Sequence, residues 1–80
     1  MRLDDYLSTV GLIKRRTVAK EMAQNGLILV NGQKAKAAHP IKLNDIIQIK
    51  GSHPLSAEVL DIPGGSVAKE QREKYFKILA

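Results

Sequence analysis

Leu12-Ile13-Lys14-Arg15-Arg16-Thr17-Val18-Ala19-Lys20-Glu21-Met22-Ala23-Gln24-Asn25-Gly26-Leu27-Ile28-Leu29-Val30-Asn31-Gly32 runs from a basic triplet through an amphipathic helix into a hairpin. Helix, strand and turn each have a local reason to form, so the charges of Lys14, Arg15 and Arg16 are carried on a scaffold. A helix over about Arg16 to Asn25 places Val18, Ala19, Met22 and Ala23 on one stripe. Arg16, Lys20 and Gln24 follow one another at i+4 along another side. Gly26 supplies the left-handed C-terminal cap. Ile28 and Val30 then alternate into Asn31-Gly32, a strong signal for a two-residue hairpin with positive φ at both central residues.

Outward from this stretch, Leu3, Leu7 and Val10 recur at i, i+4, i+7, which predicts a first helix over about Leu3 to Val10 that stops at Gly11. On the other side, a return strand is expected over about Gln33 to Lys36, followed by a loop at Pro40 and a turn at Asn44-Asp45. Ile46 to Lys50 and the alternating Leu55, Ala57 and Val59 read as two further strands, the second closed by Pro63-Gly64-Gly65. Ser66 is placed to cap a short helix over about Val67 to Lys74. Tyr75 to Leu79 are apolar enough for a final strand, the favoured reading, or for a continuation of that helix. The expected architecture is α/β: two N-terminal helices packed on a small, twisted, mostly antiparallel sheet, with a short C-terminal helix and the last strand.

Eighty residues suit one domain, residues 1–80, with its core motif in 1–50 and an extension of the same domain in 51–80. Without cysteine, neither disulfides nor a thiolate zinc site can staple the fold, so the 44% apolar content must supply the core. No apolar run has the length of a signal peptide or membrane span, and the chain reads as cytoplasmic with no membrane partner. The net charge of +5 favours an anionic partner. Residues 1–50 hold nine lysines and arginines against four acids, while 51–80 hold four of each, so the whole excess lies in the first part.

His39 and His53 each adjoin a proline in an expected loop, with no carboxylate at metal-ligand or acid-base spacing. The serines lack a nucleophile elbow, and no glycine loop suits a phosphate-bearing cofactor. The chain therefore reads as non-enzymatic, with no metal, cofactor or small-molecule substrate. A short charge run is usually only a solvated face. Three cations at a helix N-terminus, however, oppose the macrodipole by ~0.3–1 kcal/mol each. A phosphate would relieve that conflict by accepting both the guanidinium forks and the free N–H groups of the first turn. The candidate phosphate-binding set is Arg16, then Arg15 and Lys20, then Lys14, Lys34 and Lys36. With only Tyr6, Tyr75 and Phe76 as aromatics, serial base stacking is disfavoured against backbone and shape contacts. Leu29 belongs to either a second packed face or an apolar spot on a contact surface.

The pattern Arg16-x-x-Ala19, Gly26-x-Ile28-x-Val30-Asn31-Gly32 and Asn44-Asp45-x-Ile47-x-Ile49 resembles the RNA-binding domain named after small-subunit ribosomal protein S-four. Two departures stand out: Arg15 occupies the place of a frequent serine helix cap, and Asn44 that of the usual glycine. The opening Met1-Arg2-Leu3-Asp4, Leu12 to Arg16 and the ending Tyr75-x-x-Ile78-Leu79 are similar to free-standing bacterial ribosome quality-control factors of the RqcP type. A heat-shock relative that rescues free large subunits is a more distant likeness. The resemblance implies large-subunit rRNA and peptidyl-tRNA on an obstructed large ribosomal subunit as partners, together with an RqcH-type tailing factor. It also adds Arg2 to the RNA contacts. The rival readings are a ribosome-assembly or heat-shock RNA binder, a protein-interaction adaptor working through the C-terminal thirty residues, and a helix-turn-helix DNA regulator. The hairpin after Gly26 argues against the last.

Overall fold

The computed structural model describes residues 1–79. Helices α1 (Leu3–Thr9) and α2 (Arg16–Gln24) are followed by strands β1 (Ile28–Val30), β2 (Gln33–Lys34), β3 (Ile46–Ile49), β4 (Leu55–Val59) and β5 (Phe76–Ile78). A 3-10 helix, Lys69–Lys74, separates β4 from β5. All strand pairings are antiparallel, in the order β2-β1-β3-β4-β5. Residues 51–79 thus add two strands to the sheet that residues 28–49 begin.

The alternation of β1, β3 and β4 turns Ile28, Val30, Ile47, Ile49 and Val59 toward the core, with Ala57 also buried, against Leu3, Tyr6 and Leu7 of α1, Val10 just after it, and Ala19 and Ala23 of α2. Burying a Leu or Ile side chain contributes ~1.5–3 kcal/mol, so this face carries most of the favourable energy. Leu29 lies half-buried on the opposite sheet face, beside Lys34 and Gln48 in register.

Asn31 (φ 52°) and Gly32 (φ 84°) form the expected hairpin turn. The Asn31 side chain does more than tolerate that backbone. Its Nδ2 donates to Asp45 Oδ1 at 3.1 Å and its Oδ1 accepts from the Ile46 N–H at 2.9 Å, while Asp45 Oδ2 accepts from the Lys42 N–H at 2.9 Å. Two turns distant in sequence are locked side by side. Asn31→Ala loses both bonds and the residue type suited to positive φ, so thermal melts should show a loss of about 1–2 kcal/mol. Asn44 has φ 71°, which accounts for asparagine at a position where glycine is the other suitable residue.

Several expectations are corrected. Val18 is 41% exposed and off the core stripe, which Ala19 and Ala23 form with a half-buried Met22. At 100° per residue, Val18 lies too far around the helix from Ala23 to face the same layer. The return strand is shorter than expected, Gln33–Lys34, although the Ala35 N–H still donates to the Ile28 carbonyl at 3.1 Å, and Ala35 and Ala37 enter the core. The C-terminal helix is 3-10 in form and starts two residues late. Its N-cap is Ala68 without a side-chain bond, so Ser66 does not cap it.

Tyr6 links α1 to the C-terminal segment: its buried hydroxyl donates to the Tyr75 carbonyl at 2.7 Å. Burial, with a smaller contribution from the negative charge of Asp61, pushes its ionisation well above the ordinary tyrosine value of 10.0. Because the folded-state value is raised, this contribution is complete below pH 10 and declines as pH rises above it. Tyr6→Phe should cost about 1 kcal/mol at neutral pH and make the stability curve flatter above pH 10, as alkaline urea titrations would measure.

Candidate nucleic-acid interface

The first helical residue of α2 is Arg16, and Arg15 at the N-cap makes no side-chain capping bond. Since the first intrahelical bond runs from the Ala19 N–H to the Arg15 carbonyl, the N–H groups of Arg16, Thr17 and Val18 have no intrahelical acceptor. Beside this end of α2 lies Asp4, a carboxylate on α1 that is only 1% exposed. Arg2 grips it with both arms, Nε to Oδ1 at 3.1 Å and Nη2 to Oδ2 at 3.2 Å. Arg16 Nε reaches Asp4 Oδ2 at 3.4 Å, and Arg16 Nη1 stands 3.9 Å from Asp5 Oδ1. The Asp5 N–H also donates to Asp4 Oδ1, at 2.8 Å.

One buried carboxylate therefore positions two arginines whose side chains remain 47% and 51% exposed. Part of the macrodipole conflict at Arg16 is met by Asp4 and Asp5 inside the chain, where the sequence argument invoked only an external phosphate. Arg2 owes its place to the backbone as well. The Leu3 N–H donates to the His39 carbonyl at 2.8 Å, the Asp4 N–H to the Ala37 carbonyl at 3.1 Å, and the Ile41 N–H to the Met1 carbonyl at 2.8 Å. The N-terminus is thereby stitched to the segment after β2.

That stitching brings Arg2 and Lys36 to one groove of about 410 Å³, floored by Ala23 and Ala37 and bordered by Gln24. A second groove of about 390 Å³ shares Ala23, Gln24 and Lys36 and extends to Gly26 and Lys34. The stem of Lys34 lies over Gly26 (φ 72°), where an added Cβ would meet Cε at 3.3 Å and Nζ at 3.4 Å. Its ammonium so sits at the C-terminal end of α2, where a cation favours the helix dipole. Lys20 lies between Arg16 and Gln24 on the same side of α2. Lys14 and Arg15 lie exposed just before the helix. Among the described residues, no acid stands within ion-pair distance of Lys14, Arg15, Lys20, Lys34 or Lys36.

Sequence reasoning missed Asp4, the residue that organises the site. Its signal was a carboxylate at the edge of the Leu3, Leu7, Val10 stripe, two residues from an arginine. His39 is half-buried and His53 exposed. Among the described residues, no three His, Cys, Asp or Glu side chains cluster as a metal ion would need, and no helix is long and apolar enough to cross a membrane.

An uncapped helix N-terminus beside two fixed guanidinium groups, on an edge lined by lysines, is the geometry of a polyanion-binding surface on a small antiparallel α/β scaffold. The model of the S4 domain matches residues 1–47, and the chain belongs to the S4 domain family. It is 43% identical to the RQC P-site tRNA stabilizing factor of Streptococcus pneumoniae, over 100% of this chain and 91% of that protein. It is 40% identical to the factor of the same name from Listeria innocua, over 99% of this chain and 86% of the relative. Heat Shock Protein 15 of Vibrio cholerae has the same fold, with a TM-score of 0.90 at 22% identity, covering 100% of this chain and 82% of that one.

Proposed function

We propose that the chain, a single folding unit over residues 1–80, is a non-catalytic cytoplasmic RNA-binding factor of ribosome quality control. It binds large-subunit rRNA and the peptidyl-tRNA of an obstructed large ribosomal subunit, and keeps that tRNA in place while an RqcH-type partner elongates the nascent chain without a template. The observation that carries this reading is the pair Arg2 and Arg16, fixed on buried Asp4 beside the free N–H groups of α2. Full-length similarity to proteins named for stabilising P-site tRNA supports the choice of partner.

In this reading Arg2 and Arg16 clamp phosphates, the α2 N-terminus supplies backbone donors, and Arg15, Lys14 and Lys20 extend the contact. Lys36 and Lys34 continue it along the two grooves. A-form RNA hides its base edges in a deep major groove, so such a surface recognises backbone shape. With ~4–6 phosphate contacts, log affinity for a structured rRNA fragment should fall against log salt with a slope of about −3 to −5. Fluorescence anisotropy over a salt series measures this, and an affinity indifferent to salt would refute a phosphate-borne interface.

A further inference from the structure

On the opposite flank of α2 from Arg16 and Lys20 lies a groove of about 430 Å³, bounded by Leu12 and Ile13, by Met22 and Leu27, and by Ile49 at the end of β3. Its far wall is the connection between β3 and β4, where a Cβ added at Gly51 (φ 127°) would stand 4.0 Å from Met22 Cε, at ordinary van der Waals contact. Val18, one helical turn before Met22 and 41% exposed, extends the apolar line beyond the groove. The polar rim is cationic or neutral: Lys50, Ser52 and His53 line it, and no acid does.

We propose that this groove docks a short protein segment that inserts aliphatic side chains between Leu12 and Met22 and sets carboxylates against Lys50. Three observations favour a protein segment over an RNA base. The walls are aliphatic and thioether, and the one ring the groove offers a base is His53 at its rim, too little for successive stacking. Met22 has the adaptable side chain of surfaces that accept apolar anchors. The absence of lining acids matches an acidic segment and repels a basic one. Because α2 stands between this groove and the basic surface, one helix can hold RNA on one flank and protein on the other.

The test is an NMR titration of the whole 15N-labelled protein with two synthetic helical peptides of identical leucine spacing, one flanked by glutamates and one by lysines. The glutamate peptide should shift Leu12, Met22, Ile49 and Gly51 and bind at least tenfold more tightly than the lysine peptide. Val18→Asp and Lys50→Glu, both exposed changes that spare the core, should each weaken it about tenfold. Prior saturation with an rRNA fragment should leave its affinity unchanged, and this arm alone depends on the proposed RNA role. Equal binding of both peptides, shifts centred on Arg2 and Arg16, or no binding at millimolar peptide would each overturn the docking groove.

Discussion

Arg2→Ala/Arg16→Ala should lower affinity for a large-subunit rRNA fragment about 100-fold, since two charge-assisted contacts at the lower end of their range supply about 3 kcal/mol. Removing both arginines leaves buried Asp4, 1% exposed, without its charged partners and with only the Asp5 N–H donating to it. An unpaired buried carboxylate is costly, so the double variant should also melt earlier. The decisive chain is therefore Arg2→Ala/Arg16→Ala/Asp4→Asn, in which the buried group is neutral and the fold is expected to recover. If this variant melts like the wild type and still binds RNA with undiminished affinity, the paired arginines are not the interface.

Asp4→Ala is expected to act on both stability and recognition. It deletes the acceptor for Arg2, Arg16 and the Asp5 N–H, a loss of about 1–3 kcal/mol, or roughly 5–20 °C in melting temperature for a domain of this size. Two opposing effects on binding follow. One negative charge fewer strengthens indiscriminate attraction to any phosphate chain, while the released arginines must be ordered again on each encounter. Affinity for unrelated duplex RNA should therefore hold or rise, and the preference for the structured rRNA target over that duplex should fall about tenfold. Parallel anisotropy titrations below the melting point would check this. An unchanged preference would show that Asp4 stabilises the fold without positioning the arginines.

How much of this was legible in the chain depends on which interactions are local. Gly26, Asn31-Gly32 and the alternations of β1, β3 and β4 speak through neighbouring residues, and the sheet forms where they indicate. Val18 went wrong because a helical stripe read from spacing has no fixed edge: only packing against α1 and the sheet decides which flank is covered. The end of the 3-10 helix Lys69–Lys74 is likewise fixed by distant partners, the N–H groups of Leu60 and Asp61, which donate to the Tyr75 carbonyl just before β5. In the interface, the basic residues were visible as a set, but their grouping was not. Arg2 meets Lys36 only because residues 1–4 pair with 37–41, and it meets Arg16 only through Asp4. Arg15 does leave α2 without a side-chain cap, and Asn44 adopts a positive φ.

The most direct test of the central claim is co-sedimentation of the purified protein with large ribosomal subunits prepared with and without peptidyl-tRNA, at a salt concentration that suppresses nonspecific binding. Wild type should be retained on peptidyl-tRNA-bearing subunits and markedly less on empty ones, and folded Arg2→Ala/Arg16→Ala/Asp4→Asn should be retained on neither. Equal retention of wild type and variant, or no retention of the wild type on either subunit, would contradict the claim.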